Sequence, residues 1–391
     1  MALSWLILDF ATELPGTYYP LYVQALGGTG ATIGLIGAVE ATSRGIVQIP
    51  GGYLADKYGR RWLIASMTFV AAFSRVFYIF APTWGWILVG ALLVGVTNIY
   101  GPALMAIVAD SVPKEKRGMA YSIINLISSV STTPAPLLAG VLYARMGLIP
   151  SMRLGYGVAL IGLVAAAVMR LRLKETVVKP EKFNVGDLAA TVPSSMRESI
   201  GVWRIVPRSA FIFFICNFVA SFAIGLFQPV LILYVVNDLG VDPVALSYLM
   251  TAMFVTMIIV AIPSGKLIDK IGRKKPLIIA GVASIVWVPL LVWGDFLRLM
   301  LAMTLTGLLI VLFTSAGNTL FADLIPKEHR GKANGSLGFF SMIAMSAGQI
   351  TGGWLYDNVN HQLPFWGEAI MMVPAILLIV FLIEEPEKAE D

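Results

Sequence analysis

Charge is what this sequence has least of. Only 13% of its 391 residues are Asp, Glu, Lys or Arg, where a soluble globular chain carries about 25%. A water-soluble enzyme or binding module is therefore excluded at the outset. The single cysteine, Cys216, rules out an intrachain disulfide, a thiolate metal cluster and a CxxC redox pair. It lies in an apolar run and reads as a small buried hydrophobe. The two histidines, His329 and His361, fall in separate loops without a second ligand at useful spacing, and no HExxH, Walker or nucleophile-elbow pattern is present. The expectation is no metal, no cofactor and no enzymatic chemistry.

Apolar residues fill the space that charge leaves. They make up 58% of the chain, the mean hydropathy is +0.81, and runs of about 20 residues, enough to cross a hydrocarbon core about 30 Å thick, recur from end to end. Reading runs between loop signals places helices near 2–26, 31–54, 62–81, 84–110, 118–145, 151–171, 209–236, 245–265, 276–294, 298–322, 332–356 and 362–383. The expected class is an all-α polytopic membrane protein, with twelve transmembrane helices in two six-helix bundles. The expected domains are 1–171, a polar cytoplasmic linker at 172–207, a second bundle at 208–383 and an acidic tail at 384–391. The first residues lack a basic stretch, and Asp9 and Glu13 interrupt their apolar run, so they read as a retained spanning helix and not a signal peptide.

The net charge of +5 would hint at nucleic acid in a soluble protein. Here the bases concentrate in alternate loops: Lys57, Arg60 and Arg61; Lys114, Lys116 and Arg117; the stretch from Arg170 to Arg208; Lys266 to Lys275; and Lys327, Arg330 and Lys332. The opposite side keeps only Arg145, Arg153 and Arg298. The positive-inside rule then makes both termini cytoplasmic and implies no nucleic-acid partner.

The halves repeat at a fixed offset. Pro50 to Arg61 aligns without gaps on Pro263 to Lys274, Ala109 to Gly118 on Ala322 to Gly331, and Leu138 to Tyr143 on Thr351 to Tyr356, each 213 positions apart. Two parallel halves of this kind can rock about a midplane site. The stretch Gly52-Tyr-Leu-Ala-Asp56-Lys-Tyr-Gly59-Arg60-Arg61 resembles the loop 2–3 motif of the major facilitator superfamily, with a weaker copy at Gly265 to Lys274. The resemblance covers the whole chain and implies a secondary transporter. It further implies a latch, in which Asp56, in the motif with Gly59, caps the cytoplasmic start of helix 11 and pairs with Arg60 while the inner gate is closed, Gly52 lets the backbones approach closely, and Asp269 with Arg273 acts likewise on helix 5. A helix N-terminus does attract an anion. The plainer alternative is that Lys57, Arg60 and Arg61 are only a topology signal.

Ionisable residues at bilayer depth cost about 2.5 to 3.5 kcal/mol on insertion scales, so each is a functional candidate. Asp9, Glu13, Glu40, Arg44 and Arg75 are such residues, and their counterparts 213 positions on are Phe222, Leu226, Met253, Met257 and Val288. The N-terminal half is thus expected to handle charge and the C-terminal half not. Glu40 and Arg44, spaced i,i+4, can neutralise each other. Asp9 and Glu13 share a helix face with like charge in a poorly solvated setting, which favours a proton on one of them. Asp9, Glu13 and Glu40 are therefore the proton-coupling candidates, with Arg44 and Arg75 as charge partners. Glu13-Leu-Pro15 and the run from Leu14 to Gly27 resemble helix 1 of the family's 12-helix multidrug/proton antiporters. Against that resemblance, the helix 5 glycine pattern of antiporters reads Ala135-Pro136-Leu-Leu-Ala139-Gly140 here, and Trp84 to Ala109 carries no basic residue.

Tyr18, Asn98, Asn217, Gln228 and Asn318 are the candidate lining of a substrate cavity suited to amphipathic molecules. Expected partners are a small-molecule substrate, protons and the lipid bilayer, with the chain working as a monomer in the plasma membrane and driven by the proton gradient. The rival expectation is a proton-coupled importer of a nutrient such as an organic anion, held by Arg44 or Arg75.

Overall fold

The computed structural model describes residues 2–113, 117–177, 181, 197, 200–326 and 328–385. Most of the expected linker and tail, with Lys114, Lys116, Lys327 and Lys388, therefore lies outside the described residues. The chain divides into two compact units, Met1–Met196 and Arg197–Asp391. Among the described residues every regular element is helical. Nine helices among the described residues are long and apolar enough to cross a membrane.

In the first unit these elements are α1 (Ala2–Glu13), α2 (Tyr19–Ala25), α3 (Gly30–Tyr58), α4 (Arg60–Ile79), α5 (Trp84–Thr97), α6 (Gly101–Ser111), α7 (Arg117–Thr132), α8 (Ala135–Met146) and α9 (Leu148–Arg170). The second unit has α10 (Arg208–Phe227), a π-helical turn at Tyr234–Asp238, α11 (Pro243–Ile271), α12 (Lys274–Val292), α13 (Phe296–Leu324), α14 (Arg330–Asn358) and α15 (Leu363–Leu382). The segments expected near 2–26, 31–54 and 332–356 are helical, yet they are absent from the nine apolar spans. Their composition explains it. The first is broken at Pro15 and carries two carboxylates, the second carries Glu40 and Arg44, and α14 is rich in glycine and serine.

Each boundary has a local cause. Thr29 caps α3 by accepting from the Thr32 N–H (3.4 Å), and Asp242 caps α11 by accepting from Val244 and Ala245 (2.7 and 3.3 Å). The two caps lie 213 positions apart. Gly59 and Gly272, at the same offset, end α3 and α11 with φ of +97° and +87°, a region that favours glycine. The side chains turned outward are apolar and large: Ile262 is 73% exposed, Phe381 75% and Ile161 68%. A helix facing hydrocarbon needs that surface.

Beside both Gly59 and Gly272 sits a polar clamp. Arg60 Nη2 lies 2.8 Å from Asp56 Oδ1, while Arg60 Nη1 pairs with Asp110 and donates to Thr176 Oγ1 at 2.9 Å. The backbone N–H groups of Arg60 and Arg61, the open N-terminus of α4, donate to the two carboxylate oxygens of Glu175 at 3.1 and 3.0 Å. In the second unit Arg273 Nε lies 3.0 Å from Asp323 Oδ2, and Glu385 accepts from the N–H groups of Arg273 and Lys274 at the start of α12. The clamp is thus repeated: an aspartate at the end of α6 or α13 and a glutamate just beyond α9 or α15. Two expectations need correction here. Arg273 pairs with Asp323, and Asp269 is exposed to solvent. The close backbone approach belongs to Gly51, where a Cβ would strike the Ile99 carbonyl, whereas at Gly52 it would meet only Pro102 Cβ at 3.9 Å.

Partial burial disfavours the charge on Glu175, but the N–H groups of Val177, Arg60, Arg61 and Thr176 outweigh it and hold the carboxyl below the usual glutamate range. Its stabilising effect is therefore complete above the ordinary carboxylate pKa and is lost as pH falls through the lowered one. Glu175→Gln should cost about 0.5 to 2 kcal/mol at neutral pH, the value of a helix cap. Thermal-unfolding midpoints of the two proteins, measured across an acid titration, should converge at low pH.

Candidate functional site

α1 stops at Glu13 because Pro15 cannot extend it, and the chain continues through a short 3-10 turn, Gly16–Tyr18. Asp9 and Glu13 lie one turn apart and within electrostatic reach of each other. The Glu13 carboxylate folds back over the break, where a Cβ at Gly16 would sit 3.2 Å from Glu13 Oε1. Asp9 faces the Ser128 side chain of α7 and feels the charge of Arg170. Arg170 was grouped by sequence with the linker bases. It is instead 1% exposed, donates from Nη1 to Thr68 Oγ1 at 2.8 Å and lies 5.3 Å from the centre of the Tyr100 ring. The cation for Asp9 is Arg170, a residue that sequence reasoning missed because it stands at the very end of an apolar run.

A second cluster lies in the same unit. Glu40 Oε1 and Arg44 Nη2 pair at 2.7 Å, as their spacing predicts. The Arg75 guanidinium sits 5.5 Å from the Tyr78 ring centre, and its buried Nε has no hydrogen-bond partner among the described residues. Arg75 and Glu40 both act electrostatically on Tyr19, Tyr78 and Tyr156. The Tyr78 and Tyr156 rings are 4.7 Å apart, and the Tyr22 hydroxyl donates to the Tyr78 carbonyl at 2.8 Å. Tyr18 and Asn98 take plainer places. Tyr18 is 1% exposed against Tyr143, and Asn98 donates to Val94 O within its own turn.

In the second unit a cavity of about 240 Å³ opens between α10, α12, α13, α14 and α15. Its walls are apolar and aromatic, from Phe213, Phe313, Phe321 and Met372, with amides at Asn217, Asn318 and Asn334. Asn217 and Asn318 were expected there; Asn334 was not. Asn217 Oδ1 accepts from Ser341 Oγ at 2.6 Å, which fixes the amide. Cys216, buried as expected, lies in the wall. Gln228 lies outside the cavity and accepts from Gln349 Nε2 at 3.1 Å. The expectation of a C-terminal half without charge needs correction, because Glu368 of α15 is 3% exposed beside Ser284 of α12. Among the described residues no group of His, Cys, Asp and Glu is arranged to hold a metal ion.

Comparison with known proteins agrees with this architecture. The chain is 24% identical over 388 residues to a multi-drug resistance efflux pump PmrA homolog of Lactococcus lactis, covering 94% of this chain and 90% of that one. It is 24% identical to the multidrug resistance protein MdtG of Enterobacter lignolyticus, covering 97% and 89%. Among solved structures, the nucleoside transporter NupG superposes with a TM-score of 0.78 at 15% identity over 98% of this chain and all of that one, a likeness of fold alone. A family model matches twice, over residues 1–215 and 213–391, one copy for each half of the repeat, and on that ground the chain belongs to the Major Facilitator Superfamily.

Proposed function

We propose that this membrane transporter works by alternating access and exports amphipathic small molecules in exchange for protons. Its twelve spans form two pseudo-symmetric bundles, 1–171 and 208–383, joined by a cytoplasmic linker, in the plasma membrane with both termini inside. The observation that carries the reading is the pair Asp9 and Glu13: two carboxylates within electrostatic reach, with the one nearby cation, Arg170, on the Asp9 side. One proton relieves their repulsion, and since Arg170 acts on Asp9, Glu13 is the one that takes it. The multidrug names of the two relatives support export. The apolar, amide-edged cavity supports an amphipathic substrate.

A second reading, import of an organic anion, has one observation in its favour. Arg75 presents a buried Nε without a partner in an aromatic setting, which an anion would satisfy.

Glu13→Gln should abolish pH-gradient-driven transport of a lipophilic cation in proteoliposomes and leave exchange at equal pH intact; full accumulation by the variant rules the role out. Asp56→Asn keeps shape and removes charge. It should weaken the proposed cap on the helix starting at Arg330 by about 0.5 to 2 kcal/mol and shift the carrier several-fold towards the inward-open state. Spin-label distances across the cytoplasmic gate read that shift. Asn217→Ala or Asn318→Ala should change apparent affinity and substrate ranking by several-fold without altering pH dependence. If Arg75→Lys instead eliminates binding and the asparagine changes do nothing, the importer reading replaces the exporter one.

A further inference from the structure

The seam between α12 and α15 encloses a carboxyl group that nothing in the reading above uses. Glu368 lies five residues inside α15, about 8 Å along its axis at about 1.5 Å per residue. It is 3% exposed, its Oε2 has no hydrogen-bond partner among the described residues, and the polar group beside it is the Ser284 hydroxyl. The one proton of the Ser284 hydroxyl is shared between Glu368 and the Gly281 carbonyl, 2.8 Å away, and its oxygen can also accept. A protonated carboxyl can donate to such an oxygen; an ionised one cannot. One turn along α12, the buried Trp287 Nε1 likewise has no acceptor among the described residues.

Among the described residues, the ionisable groups around α15 leave Glu368 without a cation. From α10, Cys216 faces Ala375, its sulfur 3.6 Å from that carbonyl oxygen. From α12, Lys274 donates to the Val380 and Ile383 carbonyls at 2.8 and 2.7 Å, about 18 Å along the helix from Glu368. The Tyr234 ring, 4.9 Å from Phe365, belongs to the π-helical turn and gives its hydroxyl to Val292 O. From α14, Tyr356 gives its hydroxyl to Asp238, which His361 also engages. None of these neutralises a carboxylate at Glu368, and an unpaired buried charge is costly.

The same seam forms part of the cavity wall. Gly281 and Met372 line the cavity, and they lie one turn from Ser284 and Glu368 respectively. At Gly281 a Cβ would come within 2.6 Å of Ile376 Cγ1, so the two helices are in contact with no slack. A ligand that parts them at the cavity also loosens the next layer, where Glu368 sits.

We propose that Glu368 is a proton-binding site of the second unit, separate from Asp9 and Glu13, which is neutral while the α12–α15 seam is closed and releases its proton when ligand binding opens the seam to water. The inference rests on the proton-coupled reading for its use, but not for its detection. Infrared pH-difference spectra of the purified full chain in lipid nanodiscs, with and without tetraphenylphosphonium as the cavity probe, test it directly. A titrating protonated-carboxyl C=O band should be lost in Glu368→Gln, retained in Glu13→Gln, and moved to lower pH by the probe. In proteoliposomes Glu368→Gln should lower the protons moved per cation while Glu13→Gln stops pH-driven transport. Should Glu368→Gln fail to fold, Ser284→Ala should shift the frequency of the same band through loss of the hydroxyl beside it. A band unchanged in Glu368→Gln, or unshifted in Ser284→Ala, overturns the proposal, as does a Glu368 band that the probe does not move. If the band behaves as expected and transport proves independent of the pH gradient, the export mechanism fails and the proton site stands.

Discussion

A charge inside hydrocarbon has to be answered by another part of the protein, and much of this structure follows from that demand. Arg170 shows it at the limit. A guanidinium that is 1% exposed distributes its interactions over a threonine hydroxyl, a tyrosine ring and the field of Asp9. Arg75 finds aromatic faces in place of a carboxylate, and Glu40 is answered one turn away by Arg44. With the charges folded inward, side chains such as Ile161, Ile262 and Phe381 are free to cover the outside. The cost of an unanswered charge makes these inward contacts specific, since each partner is of the kind that its neighbour's charge requires.

The repeat shows which features the fold needs and which the function has changed. Helix caps at Thr29 and Asp242, positive-φ glycines at Gly59 and Gly272, and arginine clamps at Arg60 and Arg273 recur at one offset. These are the elements that end helices and fasten loops, and both units keep them. The buried charges do not recur. Asp9 and Glu13 face Phe222 and Leu226 in the alignment, and Glu368 faces Gly155, which packs against Pro15. The two units have the same scaffold and carry their ionisable groups in different places.

That distinction also explains what could be read from the sequence. Helix positions, the repeat, the i,i+4 pair Glu40 and Arg44 and the cavity amides Asn217 and Asn318 were legible, because periodicity and spacing report directly on contacts along one helix or one repeated element. The partner of a charge on a different helix is not encoded in spacing. Arg170 looked like the first base of a polar stretch, Glu368 drew no reading at all, and Arg273 looked like a partner for the aspartate four residues before it. In each case a contact between helices decided the outcome. The Gly52 expectation failed for a smaller reason: helical phase puts Gly51, one residue earlier, against Ile99.

The glycines extend the same logic to how tightly the helices meet. In the second unit α10 and α14 touch backbone to backbone: a Cβ at Gly348 would strike the Phe222 carbonyl, and one at Gly352 the Leu226 carbonyl. The equivalent positions in the first unit are Ala135 and Ala139, so the corresponding approach is closed to α8 by its own methyl groups. Along the corresponding line in the first unit stand Phe222's and Leu226's counterparts, Asp9 and Glu13, together with the two chain breaks at Pro15 and Pro134. Carboxylates need room for hydrogen-bonding groups or water, and apolar side chains pack best without it. Alanine in place of glycine in one helix, and acids in place of phenylalanine and leucine in its neighbour, fall along the same line between helices, where the second unit brings backbones together and the first holds charge.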